Sequence, residues 1–365
     1  MIRNPLNKGG IQSVVMNIIR SLNDEFQIDV LTISNAEGLY DGEVRAYGGE
    51  IYRTRINTNG NRLSNSLSFY TRGYYLYNTV KSTINKYGPY FAVHCHLGEE
   101  SGLVLAAAKE CKVPIRIAHA HTAFDSNYHL IARIYTGYLK TMIYNNATNL
   151  VACSSKAGGK LYGTREFKII YNTVDSSFLD CNISHTVHTA PHLLQVGLIC
   201  DNKNQMFTLD VLKALQVKFP ESQLVFIGSP KDSSMESYYN NLISKTQEEG
   251  LNESVQYLPA DSDVKAEMQK ADYLLLPSHY EGLGIVSLEA QSVGMKCFAS
   301  AKVPVEVECG GCIFLSLNDG AESWANRIAQ QFEEDHGGRQ KYDMSRFMPD
   351  VIMEQYRQLY RGDLD

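Results

Sequence analysis

Strand-like and helix-like hydrophobic periods alternate along this chain, lapse once near the middle, and then alternate again. Val14, Val15, Ile18, Ile19 and Leu22 recur at helical spacing, and residues 28–33 read as a buried strand. Residues 90–94, 115–118, 150–153 and 168–171 are further strand candidates, with an alanine-rich helix over 102–109. Over 181–191 the pattern gives way to Ser, Thr, His and Asn, the composition of a linker. Beyond it, strands over 193–196, 224–227, 255–258 and 273–276 alternate with helices over 205–218, 238–249 and 264–270. A last helix follows Pro349, with Ile352, Tyr356, Leu359 and Tyr360 on one stripe. Strands joined through helices run parallel with right-handed crossovers, so the sequence predicts two doubly wound α/β domains in tandem. The first is expected over 1–185 and the second over 190–345, with a C-terminal helix over 346–365 packing back on the first. Ligands of such sheets sit beyond the carboxyl ends of the strands, which places the expected site in a cleft between the domains.

Composition narrows the class. At 365 residues, 44% hydrophobic and 20% charged, the chain is neither disordered nor a disulfide scaffold. No apolar run approaches the roughly 18 residues of a membrane span, and Met1-Ile2-Arg3-Asn4-Pro5 has no signal-peptide core. Eight cysteines in so long a chain suit a reduced, cytoplasmic setting. The net charge of −6 argues against nucleic acid as partner, yet it splits unevenly: residues 1–180 carry +5 and the rest −11. Of the 23 tyrosines, 15 also fall in that basic part. A basic, tyrosine-rich half suits an anionic partner or a membrane surface as well as a plain solvated one.

The densest chemical signal is Pro277-Ser278-His279-Tyr280-Glu281-Gly282-Leu283-Gly284-Ile285-Val286-Ser287-Leu288-Glu289-Ala290, which directly follows the strand over 273–276. A strand, a glycine-bearing turn and a helix start make a phosphate cradle, because the amides of Gly284, Ile285 and Val286 lack intrahelical acceptors and the helix dipole favours an anion. Glu281 lies before the helix and Glu289 about one turn inside it. A carboxylate is a two-point acceptor suited to vicinal hydroxyls, of a ribose or a hexose, and the two flank the anion site.

Glu281 and Glu289 in this frame resemble the signature of retaining, nucleotide-sugar-dependent glycosyltransferases of family four, which have the GT-B fold of two Rossmann-like domains facing a central cleft. The text around them is similar to bacterial members that build capsule, exopolysaccharide or O-antigen repeats. The resemblance implies that Glu289 binds the ribose, Glu281 the transferred sugar, and the 284–286 amides the diphosphate. Lys8-Gly9-Gly10-Ile11-Gln12 is similar to the family's Gly-Gly loop, which makes Gly9 and Gly10 donor-binding. Gly197 to Asn204 resembles the Gly-Arg … Lys-Asn segment, so Lys203 would neutralise leaving-group phosphate. His121, in Ala120-His121-Thr122, takes the place of a histidine that contacts the donor sugar, and His96 and His119 fall on the acceptor side. The implied reaction moves a hexosyl unit from a nucleotide diphosphate sugar, a UDP-sugar by expectation, to a glycan or polyprenyl-linked acceptor. It needs no metal and no cofactor beyond its sugar-nucleotide substrate, and it takes place in the cytoplasm or on the inner face of the membrane.

Other signals are weaker. His94, His96, His119 and His121 form alternating pairs on two strands, and without an acidic frame they are not expected to hold a metal. Asp261-Ser262-Asp263 imitates a metal motif but stands where an aspartate caps a helix. Cys309-Gly310-Gly311-Cys312 is a lone pair without a second one to complete a zinc site. Two features depart from the family pattern: Leu198 stands where it has arginine, and Met1-Ile2-Arg3 is a stunted first strand. They motivate the alternative of a non-catalytic GT-B subunit that binds and stabilises a partner glycosyltransferase. A glycan phosphorylase or a UDP-sugar epimerase of the same fold is disfavoured by size and by the text around Glu281.

Overall fold

The computed structural model describes residues 1–7, 9–54, 65–122, 130–179, 186–335 and 338–363, with the side chains of 65–70 set aside. Lys8, Tyr128, the side chains of Ser68, Phe69 and Tyr70, and residues 181–185 of the expected linker lie outside the described positions. Two units result: unit 1 comprises residues 1–173 with 350–365, and unit 2 comprises 174–349. The division at 173/174 precedes the 185 expected from composition, since residues 174–179 belong to unit 2.

Unit 1 runs α1 (Gly10–Leu22), β1 (Val30–Thr32), α2 (Asp41–Ala46), β2 (Ile51–Arg53), α3 (Asn65–Tyr87), β3 (Ala92–Cys95), α4 (Ser101–Glu110), β4 (Ile115–Ala120), α5 (Leu130–Asn146), β5 (Asn149–Ala152), α6 (Ser155–Tyr162) and β6 (Lys168–Ile169). The strands form a pair β1-β2 and a sheet β3-β4-β5-β6, all parallel. The chain start joins them. Ile2 bridges Thr32, its amide donating to Leu31 O at 3.0 Å, while His96 N donates to Met1 O at 3.0 Å. Residues 1–2 thus stand in for a central first strand and complete a doubly wound order. Beside them, between Ile28–Val30 and Ala92–His94, runs a cavity of about 200 Å³.

The predicted stripe of α1 is buried: Val14, Ile18 and Leu22 pack with Ile117, Val151 and the C-terminal helix. That helix, α13 (Pro349–Arg361), turns Ile352, Tyr356, Leu359 and Tyr360 into the same core of unit 1. Burying four such side chains stabilises by roughly 1.5–3 kcal/mol each relative to exposure, enough to hold one helix in place.

Unit 2 contains α7 (Ser176–Leu179), β7 (His192–Val196), α8 (Gln205–Gln216), β8 (Gln223–Ile227), α9 (Ser233–Glu248), β9 (Val255–Leu258), α10 (Val264–Lys270), β10 (Tyr273–Leu276), α11 (Ile285–Ser292), β11 (Lys296–Ser300), β12 (Cys312–Leu315) and α12 (Gly320–Asp335). Its parallel six-stranded sheet has the order β12-β11-β10-β7-β8-β9. Chain direction across the sheet reverses between β7 and β10, the switch point where doubly wound sheets bind ligands. Both sheets confirm the predicted α/β class. The core of unit 2 gathers Leu193, Leu224, Phe226, Leu275 and Phe298 from the sheet with Leu212, Trp324 and Ile328 from the helices. Asp263 caps α10, accepting from Ala266 N at 3.0 Å, so the Asp-Ser-Asp run serves the helix rather than a metal.

Candidate functional site

Two loops leave the switch-point strands of unit 2, one from β7 toward α8 and the other from β10 toward α11. Asn202 ties them together. Its Nδ2 donates to Tyr280 O and its Oδ1 accepts from Tyr280 N, both at 3.1 Å, while His279 N donates to Asn202 O at 2.9 Å. Asn204, at φ 56° in the left-handed region that Asn tolerates, adds a contact to Pro277 O at 3.3 Å.

This zip sets Lys203 on Glu281. Lys203 Nζ donates to Glu281 Oε1 at 2.5 Å, and Ser278, fully buried, donates its hydroxyl to the same oxygen at 2.7 Å. The lysine stem reaches there over Gly197, where a Cβ would lie 3.2 Å from Lys203 Cε. Both partners are mostly buried, so the pair forms in a medium where Coulomb attraction exceeds its value in water. Leu198, half-buried, follows Gly197, and its carbonyl accepts from Gln205 Nε2 at 2.8 Å.

The second loop ends on Gly284, which caps α11 at φ 95° and ψ 51°. Any other residue there would be strained, and its Cβ would meet Val303 Cγ1 at 3.3 Å. The amides of Gly284, Ile285 and Val286 have no intrahelical acceptor, and none donates to another backbone carbonyl among the described residues. The first turn of α11 is therefore a row of spare donors at the positive end of the helix dipole. Glu289 follows on the same helix, half-buried, and its carboxylate has no hydrogen bond or ion pair among the described residues. Burial, with Asp175 adding to it, pushes its carboxyl up to about 7.

Unit 1 holds the remaining predicted residues. Gly9 and Gly10 sit at the start of α1, where a Cβ on Gly9 would meet Gln12 Oε1 at 2.7 Å while one on Gly10 would meet nothing within 4 Å. The four histidines come together because β3 pairs with β4 in parallel, which sets the two alternating pairs side by side. His96 Nδ1 lies 2.8 Å from His121 Nε2, and His94 Nε2 lies 3.1 Å from His119 Nδ1. His94 Nδ1 reaches the Tyr360 hydroxyl at 2.8 Å, and His119 Nε2 is buried without a partner. Desolvation drives all four well below the usual imidazole range, His121 to about 3. They are neutral donors and acceptors.

His94, His96 and His119 each present a ring nitrogen, these atoms all lying within 4.8 Å of one another, and this is the one place among the described residues where a metal ion could be held. A polar pocket lies beside them, lined among others by Asn4, Gln12, His96, His121 and Lys160.

Sequence reasoning missed Asn202 and Ser278 as organisers. Their type and position carry no periodicity, and only the pairing of β7 with β10 shows what they join. It also missed His94 as a member of a single array, for want of the strand register.

Residues 182–340 match the family described as glycosyl transferases group 1. The chain is 28% identical over 344 residues to EpsF of Bacillus subtilis, covering 89% of this chain and 85% of EpsF. It is 27% identical over 292 residues to CapH of Staphylococcus aureus, a capsular polysaccharide biosynthesis glycosyltransferase, covering 78% and 76%. Anabaena HepE superposes with a TM-score of 0.76 at 15% identity over 99% of this chain and 98% of HepE, a likeness of fold. By its two doubly wound units and these relatives, the chain has the GT-B fold, with a group 1 glycosyltransferase domain over residues 182–340.

Proposed function

We propose that this glycosyltransferase moves a hexosyl unit, with retention at the anomeric carbon, from a UDP-sugar to a glycan or polyprenyl-linked acceptor during capsule or exopolysaccharide synthesis. The observation that carries the reading is the Lys203–Glu281 pair at the switch point of unit 2, beside the spare amides of α11. An ammonium and a helix start together suit a diphosphate, and the carboxylates of Glu281 and Glu289 suit the hydroxyls of the sugar and the ribose. The names of the relatives support the pathway: CapH acts in capsular polysaccharide biosynthesis, and HepE is known in complexes with UDP and glucose and with UDP-glucose.

In this reading the diphosphate approaches Lys203 and the amides of Gly284, Ile285 and Val286. As the bond from the anomeric carbon to the phosphate oxygen breaks, negative charge grows on the leaving group, and these fixed donors stabilise it without reorganisation. The acceptor hydroxyl attacks from the same face and passes its proton to the departing phosphate oxygen. Glu281 orients the sugar. His121, neutral, is a hydrogen-bond donor that unit 1 offers a sugar, and Gly9 and Gly10 leave the backbone at the start of α1 open to close approach. His96 and His119 serve the acceptor side. The charge work falls to the chain's own cations and amides, so we assign the reaction no metal, and the enzyme works in the cytoplasm or at the inner face of the membrane.

Donor hydrolysis and transfer by the purified chain, with chelator present, test this. Activity is expected from the chain alone. Its absence with every nucleotide sugar, alongside activation of a partner transferase, would favour the non-catalytic subunit that Leu198 motivates.

A further inference from the structure

The parallel register of β3 and β4 gathers four imidazoles of unit 1, and the hydrogen bonds among them do not close. Alternate residues of a strand share a face, so His94 stands with His96, and His119 with His121 beside them. Ring nitrogens pair His94 with His119 and His96 with His121. The remaining nitrogen of His94 goes to the Tyr360 hydroxyl at 2.8 Å. His119 Nε2 is left over in either tautomer. If His94 Nε2 donates to His119 Nδ1, the His119 proton sits on Nε2 and finds no acceptor; in the reverse case Nε2 keeps a lone pair and finds no donor. His119 is fully buried, and this nitrogen has no partner among the described residues. A bound ion accounts for an orphan of that kind.

The rings are spaced for one. His94, His96 and His119 each offer a ring nitrogen, all within 4.8 Å of one another. Ring centroids lie 5.2 Å apart for His94 and His119 and 5.3 Å apart for His96 and His119. Imidazoles that ligate one ion through nitrogens at about 2.0–2.1 Å stand about 5 Å apart by centroid at tetrahedral angles. Of the three, only His94 and His96, at 4.2 Å, must splay to accept it.

The donor set is all nitrogen, and burial keeps these imidazoles unprotonated at neutral pH. Such ligands suit zinc and its neighbours in the first transition row, whereas magnesium and calcium take oxygen. No acidic frame is required, since three histidines alone hold zinc in some sites. Tyr360, on His94 Nδ1, supplies the outer contact that orients a ligating imidazole. The polar pocket beside His96 and His121 gives a way in, and Glu99 brings a carboxylate to its wall. We propose that His94, His96 and His119 bind a divalent ion of the zinc class. The ion ties β3 and β4 to α13 through Tyr360, a structural role distinct from the charge work assigned to Lys203 and the amides of α11.

Zinc chloride titrated into the full, tag-free chain after chelator treatment tests this, with cobalt chloride as the spectroscopic probe. One ion per chain is expected, with a raised melting temperature, the visible bands of tetrahedral cobalt and no response to magnesium chloride. His94→Gln and Tyr360→Phe should each lower zinc affinity about tenfold or more. Tyr360→Phe removes only a hydroxyl from a packed ring, so it reports even where the buried histidine variant fails to fold. No zinc bound, octahedral cobalt, a thiolate charge-transfer band, equal binding of magnesium, or wild-type affinity in Tyr360→Phe would overturn the proposal.

Discussion

Lys203 Nζ lies 2.5 Å from Glu281 Oε1, so the two charged residues at the switch point of unit 2 are each other's counter-ion. A diphosphate must draw the ammonium away from the carboxylate, and the two substitutions should therefore act with opposite sign on nucleotide binding. Lys203→Ala is expected to weaken UDP binding about tenfold or more and to lower turnover by about 10²–10³. Glu281→Gln should leave UDP binding unchanged or tighter, because the lysine is released, while turnover of the sugar falls by a similar factor. Calorimetry with UDP and initial rates with the UDP-sugar check both halves.

Glu289 gives a pH signature. Its carboxyl titrates near 7 in the folded chain against an ordinary value near 4.5. Between those values the folded state holds the proton that the unfolded state has lost, so this group makes stability fall as pH rises through the window. Glu289→Gln should remove that dependence and raise stability at pH 8 by about 1–3 kcal/mol, discounted for the exposed part of the side chain. If the ionised form holds the ribose, nucleotide affinity should rise from pH 6 to 8 in the wild type and stay flat in the variant. Denaturant titrations and binding curves at several pH values test the two trends.

The histidine array predicts the reverse slope. His94, His96, His119 and His121 are held neutral by burial, with folded values below the unfolded one. The unfolded chain binds more protons once pH drops below about 6.5, so stability should fall there by up to about 1.4 kcal/mol per pH unit for each histidine. The same neutrality means that no ionisation of these four imidazoles should shape the rate between pH 6 and 8. An inflection near 6.5 that disappears in His121→Asn would contradict this.

How much of this was legible in the sequence depends on range. The loop from Ser278 to Glu289 could be read because all its parts lie within one strand–turn–helix, and the structure keeps Gly284 as the cap with φ 95°. The strand at Lys296–Ser300 and the helix at Gly320–Asp335 escaped notice: the first is a five-residue run opened by a lysine, and the second places its buried Trp324, Ile328 and Ala329 among polar neighbours. The ion pair between Lys203 and Glu281 and the union of the histidine pairs were invisible for another reason. Both depend on which strands lie side by side, β7 with β10 and β3 with β4, and no local period encodes that.

Two glycine substitutions separate packing from function. A Cβ on Gly228 would fall 1.9 Å from Gly197 O, so Gly228→Ala should force the β7 and β8 ends apart and cost about 2–4 kcal/mol. Gly10→Ala meets nothing within 4 Å and should leave stability within about 0.5 kcal/mol, or raise it slightly. If Gly10 serves donor binding, as its resemblance to the Gly-Gly loop implies, Gly10→Ala should nonetheless raise KM for the sugar nucleotide. Thermal melts beside steady-state kinetics distinguish the cases.

Titration of a UDP-sugar into the full chain in the presence of chelator, wild type against Lys203→Ala and Glu289→Ala, tests the assignment of the switch-point loops most directly. The account predicts one site per chain in the wild type, with affinity about tenfold or more weaker in each variant at a temperature where all three proteins are folded. Equal affinity in all three proteins, or no binding of any nucleotide sugar to the wild type, would contradict it.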